Sequence, residues 1–534
     1  QSALRSLPAA MQSKVQALQG DVRTQQKMLE QLLNDRTASA ERLLAQQKVI
    51  DTAKLQYLQL QSGLKVQHPK YARLSDLQPA SAAMAPKLLD AQDVFISYLV
   101  NQEGQAQVFI LTQSGKVSWV DLGPLPNLSS SVAASRELIS PSTGDLVAQG
   151  RLVSLEKGGY AWVPPGENLP PGATLTAAGI NAAAARALLQ QYWHDKLIKP
   201  ILPLAGGYSR WIISPDKDLA LLPFDTLPDA APVAGAGTGT VQQPLVHARN
   251  LTVVQSFAVY ALLKEREAEY AKITRSKSLF AMGNPVYGQG WAPTPSTSSS
   301  KRSLGPAWST TDNDLLQSLR SNDARGQPTS FAGEQAFMRK AKWTNLPGTG
   351  VEVNAVSKVF ARQGGVDVMV GAQASEAQLL ALNQSGKLRD YRYFLFSAHG
   401  YLANNPALSA LVLSQVGNPA EHDGYITAEK WPLYDLRSDL TVLSACDTGV
   451  GKTLAGEGVM GLPYALFVAG NKNTLLSLWP VDDEATAEFM SAFFGRLARG
   501  VPQPQALADT KRAFKESPKW SDPRYWAGFV LYGV

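Results

Sequence analysis

Tyr391-Arg-Tyr-Phe-Leu-Phe-Ser-Ala-His399-Gly400 and Leu440-Thr-Val-Leu-Ser-Ala-Cys446-Asp-Thr-Gly449 have one shape: an apolar run, a reactive side chain, then a turn residue. Runs that are apolar at nearly every position belong to strands buried on both faces, the habit of parallel sheets. In such sheets function collects at the C-terminal strand ends. The first run delivers His399 there. The second delivers Cys446, the only cysteine among 534 residues. The two lie 446 − 399 = 47 positions apart. A crossover between parallel neighbours needs at least about a dozen residues, so this spacing admits a helix and an insertion. A thiol and an imidazole at matched strand ends suit a Cys–His hydrolase. Taken singly, each has a plainer reading, the thiol as a small buried hydrophobe and the histidine as a structural residue.

Outward from these stretches, strand and helix signals alternate. Strands are expected at 366–370, 391–397, 440–445, 473–478 and 527–532. Helices are expected at about 350–362, 374–383, 456–469, 482–499 and 503–516. The alternation predicts an α/β fold with a doubly wound, mostly parallel sheet and flanking helices. Upstream, Val94–Val100, Gln107–Leu111 and Lys116–Val120 read as an antiparallel meander. Strands at Arg210–Pro215, Leu219–Pro223 and Ser278–Gly283 follow, with helices from Ala182 and within Val253–Lys272. Residues 1–66 are rich in Gln, Leu and Ala, and Met11, Val15, Leu18 and Val22 share one helix face. They predict a helical arm of two helices broken near Asn34-Asp35, either a packing element or the tail of a helical repeat array. The expected division is therefore 1–66 arm, 67–285 N-terminal α/β half, 286–345 Pro/Ser-rich linker or insertion, and 346–534 catalytic half.

Hydrophobic content of 45% and charged content of 18% are globular values. A net charge of +6 without a polybasic run does not point to nucleic acid. No apolar stretch reaches the roughly 18 residues of a membrane span. One cysteine excludes an internal disulfide framework and Cys-based zinc. A cytoplasmic location is the expectation, and because the chain starts at Gln1 rather than Met a secreted or periplasmic one stays open.

Further stretches fall in order: Phe396-Ser-Ala-His399-Gly400, Leu443-Ser-Ala-Cys446-Asp-Thr-Gly449, Gly456-Glu-Gly458, Leu478-Trp-Pro-Val-Asp-Asp-Glu-Ala-Thr486 and Trp526-Ala-Gly-Phe-Val-Leu-Tyr-Gly533. Together they resemble the CHAT domain, a caspase-like peptidase domain often found with tetratricopeptide repeats and distantly similar to separases, gingipains and caspases. Leu346-Pro-Gly-Thr349 with Glu352 matches the loop opening the catalytic half, and Ile212–Asp216 through Leu222–Leu227 the preceding, degenerate half. The resemblance implies a caspase-like fold without cofactor. It implies Cys446 as nucleophile, His399 as general base and acid, and the backbone N–H groups of Gly400 and Cys446 as oxyanion hole.

Trp479, Asp447, Asp482 and Asp483 would line the substrate site, Asp483 matching the acid that separases place in the pocket for the residue before the cut. A carboxylate there would select Arg over Lys. Asp482 is equally a natural N-cap for the helix that follows. Protein or peptide substrates are implied, with an activating protein partner held through the N-terminal helices. A CHAT scaffold that binds a partner without cutting it, and a Cys-dependent acyl transfer such as an amidase, remain alternatives. The loop from Asn404 to Asp423 is long enough for a lid, and Lys301-Arg302 in the Ser-rich segment 293–302 offers a site for self-cleavage.

Overall fold

The computed structural model describes residues 80–140, 151–229, 243–288, 343–401, 406–444 and 452–534 with few interruptions, and scattered positions elsewhere. Eleven strands among them make one sheet. In chain order they are β1 (Asp93–Val100), β2 (Gln105–Thr112), β3 (Val117–Pro124), β4 (Arg210–Ser214), β5 (Asn250–Val253), β6 (Lys277–Gly283), β7 (Val366–Val370), β8 (Tyr391–Ser397), β9 (Leu440–Ser444), β10 (Asn473–Ser477) and β11 (Phe529–Tyr532). Their order across the sheet is β7-β6-β8-β9-β10-β11-β5-β4-β1-β2-β3. The β1–β2, β2–β3 and β10–β11 pairs are antiparallel. The others are parallel. The fold is thus α/β, with a doubly wound and mostly parallel sheet flanked by helices.

The longer helices are α1 (Leu128–Ile139), α2 (Ala182–Trp193), α3 (Phe257–Tyr270), α4 (Pro347–Phe360), α5 (Glu376–Gln384), α6 (Leu462–Val468), α7 (Asp483–Ala498) and α8 (Gln503–Glu516). The central strands β9 and β10 are buried at every position, the polar Thr441, Ser444, Asn473, Thr474 and Ser477 included. Successive side chains of β8 take opposite faces. Leu395 joins Leu279, Val442, Leu475 and Phe489 in one core. Phe394 and Phe396 instead pack with Phe280. Each fully buried Phe or Leu contributes about 1.5–3 kcal/mol, so packing outweighs local propensity in holding α4 and α7 on the sheet. Strand β2 and the edge strand β3 alternate less and more exposed positions over most of their length, as a half-solvated antiparallel meander does.

Several expectations need correcting. Leu219–Pro223 is not a strand: Lys217–Leu221 is a 3₁₀ helix, begun by Asp216, whose side chain accepts from the Lys217 N–H. The helix expected from 456 starts at Leu462, after a strand at Gly458–Met460. Pro463 explains the late start, because proline fits the first helical turn and not the interior. A boundary at 285 cuts off β6, which pairs with β7 and β8 of the second half. Part of the expected lid is sheet instead: Ala410–Val412, within 404–423, pairs antiparallel with His399–Tyr401 and Tyr425–Thr427.

The chain divides into two compact units. One comprises Gln1–Pro79 with Glu429–Tyr434, and the other Ala80–Ala428 with Asp435–Val534. In the first, Leu7, Val15 and Leu64 are buried together, with Met11 and Leu60 against them. The expected break at Asn34-Asp35, the segment 293–302 and Lys301-Arg302 lie outside the described residues.

Within the second unit the two halves are closed on each other. Strand β11 joins β5. Lys511 of α8, 1% exposed, donates to Asp225 of the first half at 2.5 Å. Arg512 Nε donates to the Val246 carbonyl at 2.7 Å. Arg266 of α3 reaches the carbonyls of Phe467 and Asn471 at 2.8 and 2.6 Å.

Candidate active site

Strands β8 and β9 are parallel neighbours, with Ser397 opposite Ser444. His399 and Cys446 each stand two residues beyond these partners. Both candidate positions therefore follow paired strand-end residues by the same number of residues in the sequence. Cys446 and Asp447 lie outside the described residues, so the site is built here from the histidine side.

His399 is 1% exposed. Its Nε2 lies 2.8 Å from the Thr344 carbonyl oxygen. A carbonyl only accepts, so Nε2 carries the proton and a neutral ring bears its lone pair on Nδ1. The Trp343 ring lies 4.9 Å from the imidazole and the Tyr287 ring 5.1 Å away. Tyr287 Oη accepts from the His399 N–H at 3.2 Å and donates to the Val412 carbonyl at 2.8 Å. Trp343 Nε1 donates to Tyr425 Oη, which donates to the Met338 carbonyl, both at 2.7 Å. Burial pushes the Tyr425 phenol up, against the hydrogen bond from Trp343, which keeps it a neutral donor.

Helix α4 braces the strand edge. Its first turn meets β6 closely: Thr349 Oγ1 accepts from the Asn284 N–H at 2.7 Å, and a Cβ at Gly283 would lie 2.7 Å from the Thr349 carbonyl oxygen. One turn on, the fully buried Glu352 accepts from the Ser397 hydroxyl, two residues before His399. Gly400 pairs with Leu411 in the small sheet.

The carboxylates expected around the pocket part company. Asp482 caps α7, accepting from the N–H groups of Glu484 and Ala485 at 2.9 and 3.1 Å. Asp483 is 8% exposed, and its carboxylate fills the space a Cβ at Gly348 would need. Thr344, which holds His399, lies four residues before Gly348 on the same segment. Trp479 is buried, its Nε1 donating to the Arg524 carbonyl at 3.0 Å, and its indole excludes a side chain at Gly528. The structure thus ties His399 and Asp483 to one segment, 343–348, while Trp479 faces the C-terminal chain. Sequence reasoning missed Trp343, Thr344 and Tyr287. The one available signal was a tryptophan three residues before Leu346 of Leu346-Pro-Gly-Thr349.

Among the described residues no group of three or more His, Cys, Asp or Glu could hold a metal ion. No described helix is long and apolar enough to cross a membrane.

The family model of the CHAT domain matches residues 183–534. The chain belongs to the CHAT-domain family. It is similar to tetratricopeptide repeat protein 28 of Homo sapiens, 28% identical over 234 residues, 37% of this chain and 9% of that one. The Mus musculus protein of the same name is 35% identical over 103 residues, 19% of this chain and 4% of that one. The matches thus span less than a tenth of these relatives. Among solved structures, two of the Saccharomyces cerevisiae separase–securin complex are similar at 11% identity, with TM-scores of 0.41 and 0.40. They cover 87% and 99% of this chain and 31% and 38% of theirs.

Proposed function

We propose that this CHAT protein is a cysteine endopeptidase in which Cys446 and His399 form the dyad. The observation that carries the reading is the parallel register of β8 and β9, in which Ser397 lies opposite Ser444, two residues before His399 and Cys446 respectively in the sequence. The Thr344 carbonyl supports it, because a ring held at Nε2 turns its basic Nδ1 to other work. In the proposed reaction Nδ1 takes the thiol proton, and the sulfur attacks the peptide carbonyl. The backbone N–H groups of Gly400 and Cys446 hold the resulting oxyanion. His399 then protonates the leaving amine, and water, deprotonated by the same ring, releases the acyl group. Asp483, with Asp447 and Asp482 at the rim and Trp479 behind, would select a basic residue before the cut, Arg over Lys. A partner protein bound through residues 1–66 would activate the enzyme.

The burial of His399 favours a second reading, a CHAT scaffold that binds a partner without cutting it. One experiment separates the two: incubation with a peptide library varied at the residue before the cut, beside Cys446→Ala. The enzyme reading expects cleavage after Arg by the wild type and none by the variant. Cleavage by Cys446→Ala at the wild-type rate would remove the mechanism, and binding without cleavage by either would favour the scaffold.

A further inference from the structure

We propose that Trp343 is a positioning residue for the dyad, its indole face holding the imidazolium that His399 becomes on taking the Cys446 proton. The inference rests on the reading of Cys446 and His399 as a pair and adds a residue to it. The step balances simply: the proton passes from Sγ to Nδ1, the S–H electron pair stays on sulfur, and a neutral pair becomes an ion pair.

The imidazole lies beside two aromatic rings, Trp343 at 4.9 Å and 39° and Tyr287 at 5.1 Å and 56°. A cation within about 6 Å of a ring centroid is attracted by the ring quadrupole, and indole is the strongest of the natural rings. The attraction grows where water is excluded, and His399 is buried. A neutral imidazole gains nothing comparable, so the contact favours the charged member of the pair. The indole is also pinned. Its Nε1 bond to Tyr425 and the Tyr425 bond to the Met338 carbonyl are both buried, and turning the ring away would break the first.

The titratable groups around this box are the phenols of Tyr287 and Tyr425 and, beyond Trp343 at 6.4 Å, that of Tyr401. From α4, Glu352 reaches Ser397. Behind the small sheet, Glu376 of α5 accepts from the Gly424 N–H at 3.1 Å and faces His422 at 3.9 Å. Asp423 accepts from the Tyr425 N–H at 3.1 Å. Among the described residues, Trp343 and Tyr287 present rings to the imidazole.

The test uses the full chain and its single thiol. The rate of Cys446 alkylation by iodoacetamide is followed from pH 5 to 10 in wild type, Trp343→Leu, Trp343→Phe and His399→Ala. Leu keeps apolar bulk without a π face; Phe keeps a face without the N–H. Trp343→Leu should react roughly three- to tenfold more slowly near pH 6 and reach the same plateau at high pH. Trp343→Phe should stay within about twofold of wild type at both ends. A Leu profile that overlays wild type overturns the proposal. So do Leu and Phe profiles shifted alike, which would assign the effect to the Nε1 hydrogen bond, and a lowered plateau, which would mean altered access. His399→Ala should shift the profile to higher pH. If it overlays wild type while Trp343→Leu does not, the pairing of Cys446 with His399 fails instead.

Discussion

The sheet repeats one geometric device and uses it twice, to different ends. In the second half Ser397 of β8 lies opposite Ser444 of β9. In the first half Ser97 of β1 lies opposite Ser214 of β4, also in parallel register. Two residues past the serines stand His399 and Cys446 in one case, Leu99 and Asp216 in the other. Asp216 is committed to structure: Oδ2 accepts from the Val100 N–H and Oδ1 from the Lys217 N–H, both at 2.9 Å. Leu99 has no proton to move. His399 sets its Nε2 against the Thr344 carbonyl. The same parallel register thus recurs in both halves, and the residues that follow it in the sequence differ in kind.

If the first half is a brace, its attachment to the second should matter more than any group within its own crevice. Lys511 and Asp225 carry the sharpest test. Burial pushes the Lys511 ammonium pKa down although Asp225 sits beside it, so the charge is held at a cost. Lys511→Met leaves Asp225 buried without its cation and should lower stability by about 3–5 kcal/mol, read by urea unfolding. Lys511→Met with Asp225→Leu should regain most of that loss. A loss under about 1 kcal/mol in the single variant would mean the halves are held by sheet pairing and apolar packing alone.

A smaller effect, confined to the second half, concerns Asp483. A substrate Arg satisfies a nearly buried carboxylate with two donors. Asp483→Ala should reduce kcat/KM for Arg substrates by about 2–4 kcal/mol, the scale of a desolvated charge left unpaired, and leave Cys446 alkylation by a small reagent unchanged. Retention of the Arg preference would return Asp483 to structural duty beside Gly348 and bring the two halves closer in character.

Much of this was legible in the chain before any coordinate. Largely apolar runs marked β8 and β9, because burial on both faces leaves few polar positions. The meander and α7 were equally plain, and the Asp482 cap was one of two readings offered for that residue. What stayed hidden is tertiary. Thr344 and Tyr287 meet His399 across 55 and 112 residues, and no local pattern carries such a contact. Strand β6 reads as an apolar run and does not say which strand it will pair with. The 3₁₀ turn at Lys217–Leu221 looked like a strand because its apolar content outweighed the capping role of Asp216. The turn 470–473, Gly-Asn-Lys-Asn, owes its polarity to contacts that are likewise tertiary. Its Asn471 accepts from Ser438 at 2.8 Å and donates to the Asn473 carbonyl at 2.6 Å, and Asn473 accepts from the Val534 N–H at 2.7 Å.

The central claim is that His399 activates Cys446, and labelling by a peptidyl chloromethyl ketone with Arg at its reactive end tests it most directly. Intact-mass analysis should show one adduct per chain on wild type, at Cys446. His399→Ala should be labelled more slowly by roughly 10³-fold or more, in keeping with the losses seen when one member of a catalytic set is removed. Equal labelling rates in wild type and His399→Ala would contradict the claim and leave the second half, like the first, a scaffold.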